Sequence, residues 1–151
     1  MKRRAGAVLA GLAGVLLVAG CVGPATTVAA YTGKAVHAAQ AAQSEVQTAH
    51  LATQQRLRGR LQQAYLETML SASEDAMSSV QNSFDSIQPP DNKVADKVRD
   101  DLDPLLSDAS DALSQLRIEA RREDTGQMAK IVSSLSRLGA KLDKFSKEHG
   151  G

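Results

Sequence analysis

Along most of the chain, hydrophobic residues recur at spacings of three and four, the period at which a helix turns one face toward a core. From about Ala25 to Leu57 these positions are Val28, Tyr31, Ala35, Ala38, Ala42, Val46 and Ala49. From Leu61 to Ile87 they are Leu66, Met69, Leu70, Ala76, Met77, Val80, Phe84 and Ile87. The segment that starts at Asp91 carries Val94, Val98, Leu102, Leu105, Ala109, Ala112, Leu116 and Ala120. The last segment is the most regular: Met128, Ile131, Leu135, Leu138, Leu142 and Phe145 form a heptad seam of coiled-coil type. No stretch alternates with the period of two expected of a half-buried strand, and no Asn-Gly hairpin signal occurs. The pattern predicts an all-α fold. Segments 61–87, 91–122 and 127–148 would be rods of roughly 33–48 Å at 1.5 Å per residue. Similar rods joined by short turns pack antiparallel, giving a bundle of three to four long helices.

The breaks between rods have their own chemistry. Gly59, between Arg58 and Arg60, is a hinge or turn, because glycine in a helix interior costs about 1 kcal/mol relative to alanine. Gln88-Pro89-Pro90 ends a helix, since neither proline donates a backbone hydrogen bond and each restricts the residue before it. Thr26 or Thr27 can cap the first helix and Asp91 the third. Pro104 leaves two outcomes open: a fresh helix capped by Asp103, or one helix that continues with a kink. Glu123-Asp124-Thr125-Gly126 reads as a turn, with Asp124 and Gln127 spaced as in a capping box. Residues 25–57 have a shallow stripe made of alanine, which suits close packing through small side chains better than a solvated stalk.

The first twenty residues obey a different rule. Met1-Lys2-Arg3-Arg4 is a positive cluster, and Ala5 to Gly20 then holds no charge. A charged start followed by a short apolar run is the pattern of an export signal. The run is 16 residues long, short of the roughly 20 that cross a bilayer core. The segment ends in Val18-Ala19-Gly20-Cys21. This tetrad resembles the lipobox of bacterial lipoproteins, an aliphatic residue and two small residues before a cysteine. The resemblance implies cleavage between Gly20 and Cys21 and a diacylglyceryl group on the Cys21 thiol. It covers only the first 21 residues. Residue 22 is Val, not the Asp that holds some Gram-negative lipoproteins at the inner membrane. The domain plan that follows is 1–20 signal peptide, 21–26 lipidated N-terminus and short tether, and 27–149 helical bundle.

Composition then narrows the function. Cys21 is the single cysteine, so no intramolecular disulfide can form. Loss of Lys2, Arg3 and Arg4 takes the basic residues from 18 to 15 against 17 acids, a mature charge of about −2. Such a balance does not suit a nucleic-acid partner, which asks for a clustered basic face. With no Trp, two Phe and two Tyr, the core must be aliphatic. Residues 85–111 hold eight Asp against three Lys or Arg, and residues 112–151 hold eight Lys or Arg against five acids. Neighbouring helices of opposite charge help set register; Arg117, Arg121, Arg122, Lys141 and Lys144 are the alternative docking face.

Residues suited to chemistry are sparse. His37, His50 and His149 are isolated, and a metal site needs converging ligands. Asp100, Asp101 and Asp103 lack the central Gly and distal Glu of an EF-hand loop. No Gly-rich phosphate loop, nucleophile elbow or apolar-face carboxylate pair occurs. No catalytic residue, metal or cofactor is expected. The expected protein is a non-enzymatic lipoprotein held outside the cell membrane by the lipid on Cys21, or on an outer membrane if the source is Gram-negative. Its bundle would act as an interaction or scaffold module for an envelope protein. The alternative is a carrier or sensor that holds a lipid or other apolar ligand in a core left adaptable by Met69, Met77 and Met128. The Ala/Arg/Asp-rich composition is similar to that of small exported helical lipoproteins of high-GC Gram-positive bacteria.

Overall fold

The computed structural model describes residues 25–150. They form four α-helices: α1 (Val28–Leu57), α2 (Gln63–Asp85), α3 (Lys93–Arg121) and α4 (Thr125–His149). Each helix runs antiparallel to its neighbours. Lys34 and Ala38 of α1 lie across from Ile87 and Phe84, while Arg56 at its other end bonds Gln63. Gly139 of α4 faces Val46, and Gly150 faces Val36. The fold is an all-α, antiparallel four-helix bundle, as the hydrophobic period predicts.

Around the bundle each helix touches the next, and α4 closes the ring on α1. Across the diagonal the two pairs differ: α1 also touches α3, but α2 and α4 do not meet. The cause is the alanine stripe. Ala35, Ala39, Ala42, Val46, Ala49 and Ala52 are buried along α1, and side chains this short let facing helices approach closely. Residues 28–57 are therefore the packed hub of the bundle and not a stalk. Larger side chains from the other helices fill the space around that hub. Leu66, Leu70, Leu102, Leu113, Leu116, Leu135 and Leu142 are all fully buried, each contributing about 1.5–3 kcal/mol relative to exposure.

The helix ends follow capping chemistry in detail. The Thr27 hydroxyl accepts from the Ala30 amide at 3.1 Å. Asn92, and not Asp91, caps α3, its side-chain oxygen accepting from the Val94 amide at 2.8 Å. Gly59 stops α1 outright: with φ at +69°, its amide bonds the Arg56 carbonyl while the Arg60 amide bonds Gln55. That is a Schellman closure. The end of α3 closes in the same way, with Glu123 at φ +54° in the glycine position and the Asp124 amide bonded to Glu119. Gly126 lies inside α4 and is not part of the turn. Asp124 caps α4 by accepting from the Gln127 amide at 2.9 Å. Its own amide serves α3, so one residue finishes one helix and starts the next. Pro104 neither starts a helix nor ends one; α3 runs through it.

The buried stripe of α3 is rotated from the one read off the sequence. Ala95, Leu106 and Leu113 are fully buried, while Val94 is 58% exposed and Leu105 and Ala112 are only half-buried. Both registers keep the 3–4 period through Val98, Leu102 and Ala109. The chosen one puts two leucines, Leu106 and Leu113, on the core line.

Candidate functional site

Gly20 and Cys21, the cleavage and lipidation residues expected from the lipobox, lie outside the described residues, as do the signal segment and most of the tether. Ala25 is buried at the end of the bundle where α1 starts. The α2–α3 loop at Pro89 and Pro90 and the last turn of α4 share that end. The turns at Gly59 and Asp124 form the opposite end. Any anchor at residue 21 therefore joins the bundle at one of its two ends.

At the end of the bundle where α1 starts, α2 is held by a partly buried polar cluster. Arg99 of α3 donates to the Asp85 and Ile87 carbonyls, each at 3.3 Å, taking over two carbonyls that the end of α2 leaves free. Its guanidinium lies 5.9 Å from the Phe84 ring centre and bonds Asp103 at 3.3 Å. Tyr31 of α1 stacks obliquely on Phe84 at 5.8 Å. Two atoms in this neighbourhood are buried without a partner, the Tyr31 hydroxyl and Asp103 Oδ1. Burial raises the Tyr31 hydroxyl above its ordinary pKa, with Arg99 pulling the other way. Burial also raises the Asp103 carboxyl, again opposed by Arg99.

Halfway along, Arg117 makes a two-pronged pair with Glu74 of α2, and both side chains are more than three-quarters buried. This hydrogen-bonded pairing raises the Arg117 pKa. At the far end the Gln63 amide donates to Glu67 and to the Ala120 carbonyl, each at 2.7 Å, and accepts from Arg56. These ties fasten α2 to α3 and α1. Arg117 is thus committed to an interhelical pair, Arg122 to Glu119 and Lys144 to Glu148. The basic docking face read from the sequence keeps Arg121 and Lys141 exposed.

Acidic α3 and basic α4 do meet. Asp108, Asp111 and Gln115 line one wall of a groove of about 480 Å³, with Arg137 and Lys141 on the other. Among the described residues no ion pair bridges it; the pairs at Lys97–Asp101 and Lys147–Asp143 run along single helices. Those contacts raise the Lys97 pKa and lower that of Asp143, in each case mainly through the hydrogen bond.

The residues singled out for metal chemistry are scattered. His50 bonds Gln54, His149 packs on Phe145 with ring centres 4.5 Å apart, and His37 is exposed. Asp101 and Asp103 are taken by Lys97 and Arg99, and Asp100 is exposed. Among the described residues no group of three His, Cys, Asp or Glu side chains gathers around one point. No described helix is long and apolar enough to cross a membrane.

The methionines do not open a space in the core. Met77 and Met128 are packed at 0% and 1% exposure, while Met69 lies at the surface at 36%. Apolar room lies instead on the surface, in a groove of about 410 Å³ between α1 and α2. Ala38, Ala41, Val80, Phe84 and Ile87 line it, with Lys34, Ser79 and Ser83 as its polar residues. Sequence periodicity missed this groove because Ala38, Val80, Phe84 and Ile87 fall on the stripes that it assigns to the core. The available signal was the run of alanines on α1 opposite the serines of α2. No family model, curated protein or solved structure matches this chain.

Proposed function

We propose that the chain is an extracytoplasmic bacterial lipoprotein: signal residues 1–20 are removed, Cys21 is lipidated, and the bundle is a non-catalytic interaction or scaffold module of the cell envelope. The observation that carries this reading is Val18-Ala19-Gly20-Cys21 following an uncharged run and a basic start. The geometry is compatible with it. Helix α1 begins only seven residues after Cys21, so the tether is too short to let the bundle wander far from a membrane. Two or three acyl chains, at roughly 0.8 kcal/mol per buried methylene, would make that attachment stable. The partner on this reading is the membrane itself, together with an envelope protein that meets the exposed flanks.

Cys21→Ser is the decisive variant. Expression of the full chain should give wild-type protein in the detergent phase with an intact mass of residues 21–151 plus acyl groups. The variant should stay unacylated and uncut at Gly20, with unchanged helical circular dichroism. A wild-type mass without acyl groups would overturn the reading.

A further inference from the structure

The lipoprotein reading supplies an occupant for the groove between α1 and α2. We propose that this groove seats one of the acyl chains carried by Cys21, so that the anchor is divided between the bilayer and the protein's own surface. The inference rests on the lipoprotein reading.

Three observations point to this occupant. The first is chemistry: Ala38, Ala41, Val80, Phe84 and Ile87 present hydrocarbon, and the polar side chains of the lining come only from Lys34, Ser79 and Ser83. A ligand recognised here is apolar along its length, as an acyl chain is. The second is size, since about 410 Å³ lies at the small end of ligand pockets and suits one slender molecule. The third is reach. Ala25 is at the anchor end, and the four residues from Cys21 to Ala25 extend to at most about 14 Å. Lys34, at the end of the groove nearer that terminus, lies six residues into α1, a rise of about 9 Å. The sulfur of Cys21 can thus stand level with the groove without any change in the helices.

A chain laid in the groove is covered on one side by Ala38, Ala41, Val80, Phe84 and Ile87. At the same time it removes water from the alanine, valine and isoleucine surface of the groove. The other chain or chains suffice to hold the protein on the membrane.

The test uses full-length protein from cells fed a diazirine fatty acid, so that the anchor itself is photoreactive. After reconstitution into nanodiscs and irradiation, peptides containing residues 34–41 and 79–87 should carry cross-links to the Cys21 peptide. Ala41→Phe, which fills the groove, should lower that yield about tenfold, the effect of a 1.4 kcal/mol loss. Ser83→Glu, at an exposed position where folding is not at risk, should lower it in the same direction. Acylated Cys21 whose cross-links reach only bilayer lipid would overturn groove occupancy while leaving the lipoprotein reading intact. Absence of acyl mass on Cys21 would overturn both. Equal labelling of the groove in Cys21→Ser protein by photoreactive bilayer lipid would identify a bilayer lipid as occupant and overturn the proposal.

Discussion

At the scale of single residues, the end of the bundle where α1 starts holds two buried polar atoms without a partner, the Tyr31 hydroxyl and Asp103 Oδ1. A buried hydroxyl without a partner loses its hydration and regains nothing. Tyr31→Phe removes that hydroxyl and keeps the ring on Phe84, so the variant should be more stable by up to about 1 kcal/mol in urea unfolding. A loss of stability would show that the hydroxyl has a partner, such as a bound water. Asp103 offers a pH test. Burial raises its carboxyl above the usual carboxylate range despite Arg99, so its folded pKa exceeds its unfolded one. The resulting stability is fully present below the unfolded value of about 3.9 and is lost as pH rises through the folded value. Asp103→Asn has no such titration. Wild type should therefore compare best with the variant near pH 3 and lose ground toward pH 6. A difference that instead grows in favour of wild type with rising pH would mean that the Arg99 pair dominates.

At the scale of helices, most of the architecture was legible because burial leaves a periodic trace. The α4 seam shows this best: Met128, Leu135, Leu138, Leu142 and Phe145 are buried as spaced, with Ile131 half-buried. The α3 stripe was less legible, since two overlapping 3–4 registers share Val98, Leu102 and Ala109. The burial of Leu106 and Leu113 is set by long-range packing of α3 on α1, α2 and α4. Pro104 was undecidable for a related reason, as packing on both sides of it outweighs the lost hydrogen bond. The groove between α1 and α2 was not legible as a groove, because Ala38, Val80, Phe84 and Ile87 read as core positions. The two Schellman ends make a matched experiment in opposite directions. Gly59 occupies the left-handed position at no steric cost, and Glu123 occupies the equivalent position with a side chain. Gly59→Ala should cost about 1 kcal/mol, whereas Glu123→Gly should gain about 0.5–1 kcal/mol, because its exposed contact with Arg56 contributes little. Thermal unfolding of both variants checks the pair. Equal signs would mean that these turns are not set by backbone conformation.

At the scale of the whole molecule, antiparallel packing and a short tether together fix an orientation. The start of α1, the α2–α3 loop and the last turn of α4 lie at one end, and the turns at Gly59 and Asp124 lie at the other. Between them runs α1, 30 residues long and hence about 45 Å. On the lipoprotein reading, a tether of only a few residues brings the first end to the lipid surface. The second then stands clear of it, carrying half-exposed Tyr65 and Leu57 among the arginines at 56, 58, 60, 121 and 122. On that reading the groove between α1 and α2 lies on the flank near the membrane. If one anchor chain enters it, the bundle gains a second point of attachment, which holds it upright. Fluorophores at Asp91→Cys and Arg60→Cys measure this directly, because on the same reading lipidation blocks Cys21. Energy transfer to an acceptor in the bilayer surface should be strong from position 91 and weak from position 60. Ala41→Phe, by filling the groove, should bring the two signals closer together. Equal transfer from both positions in the wild type would mean that the bundle lies flat, and its far end would then not be the surface offered to a partner.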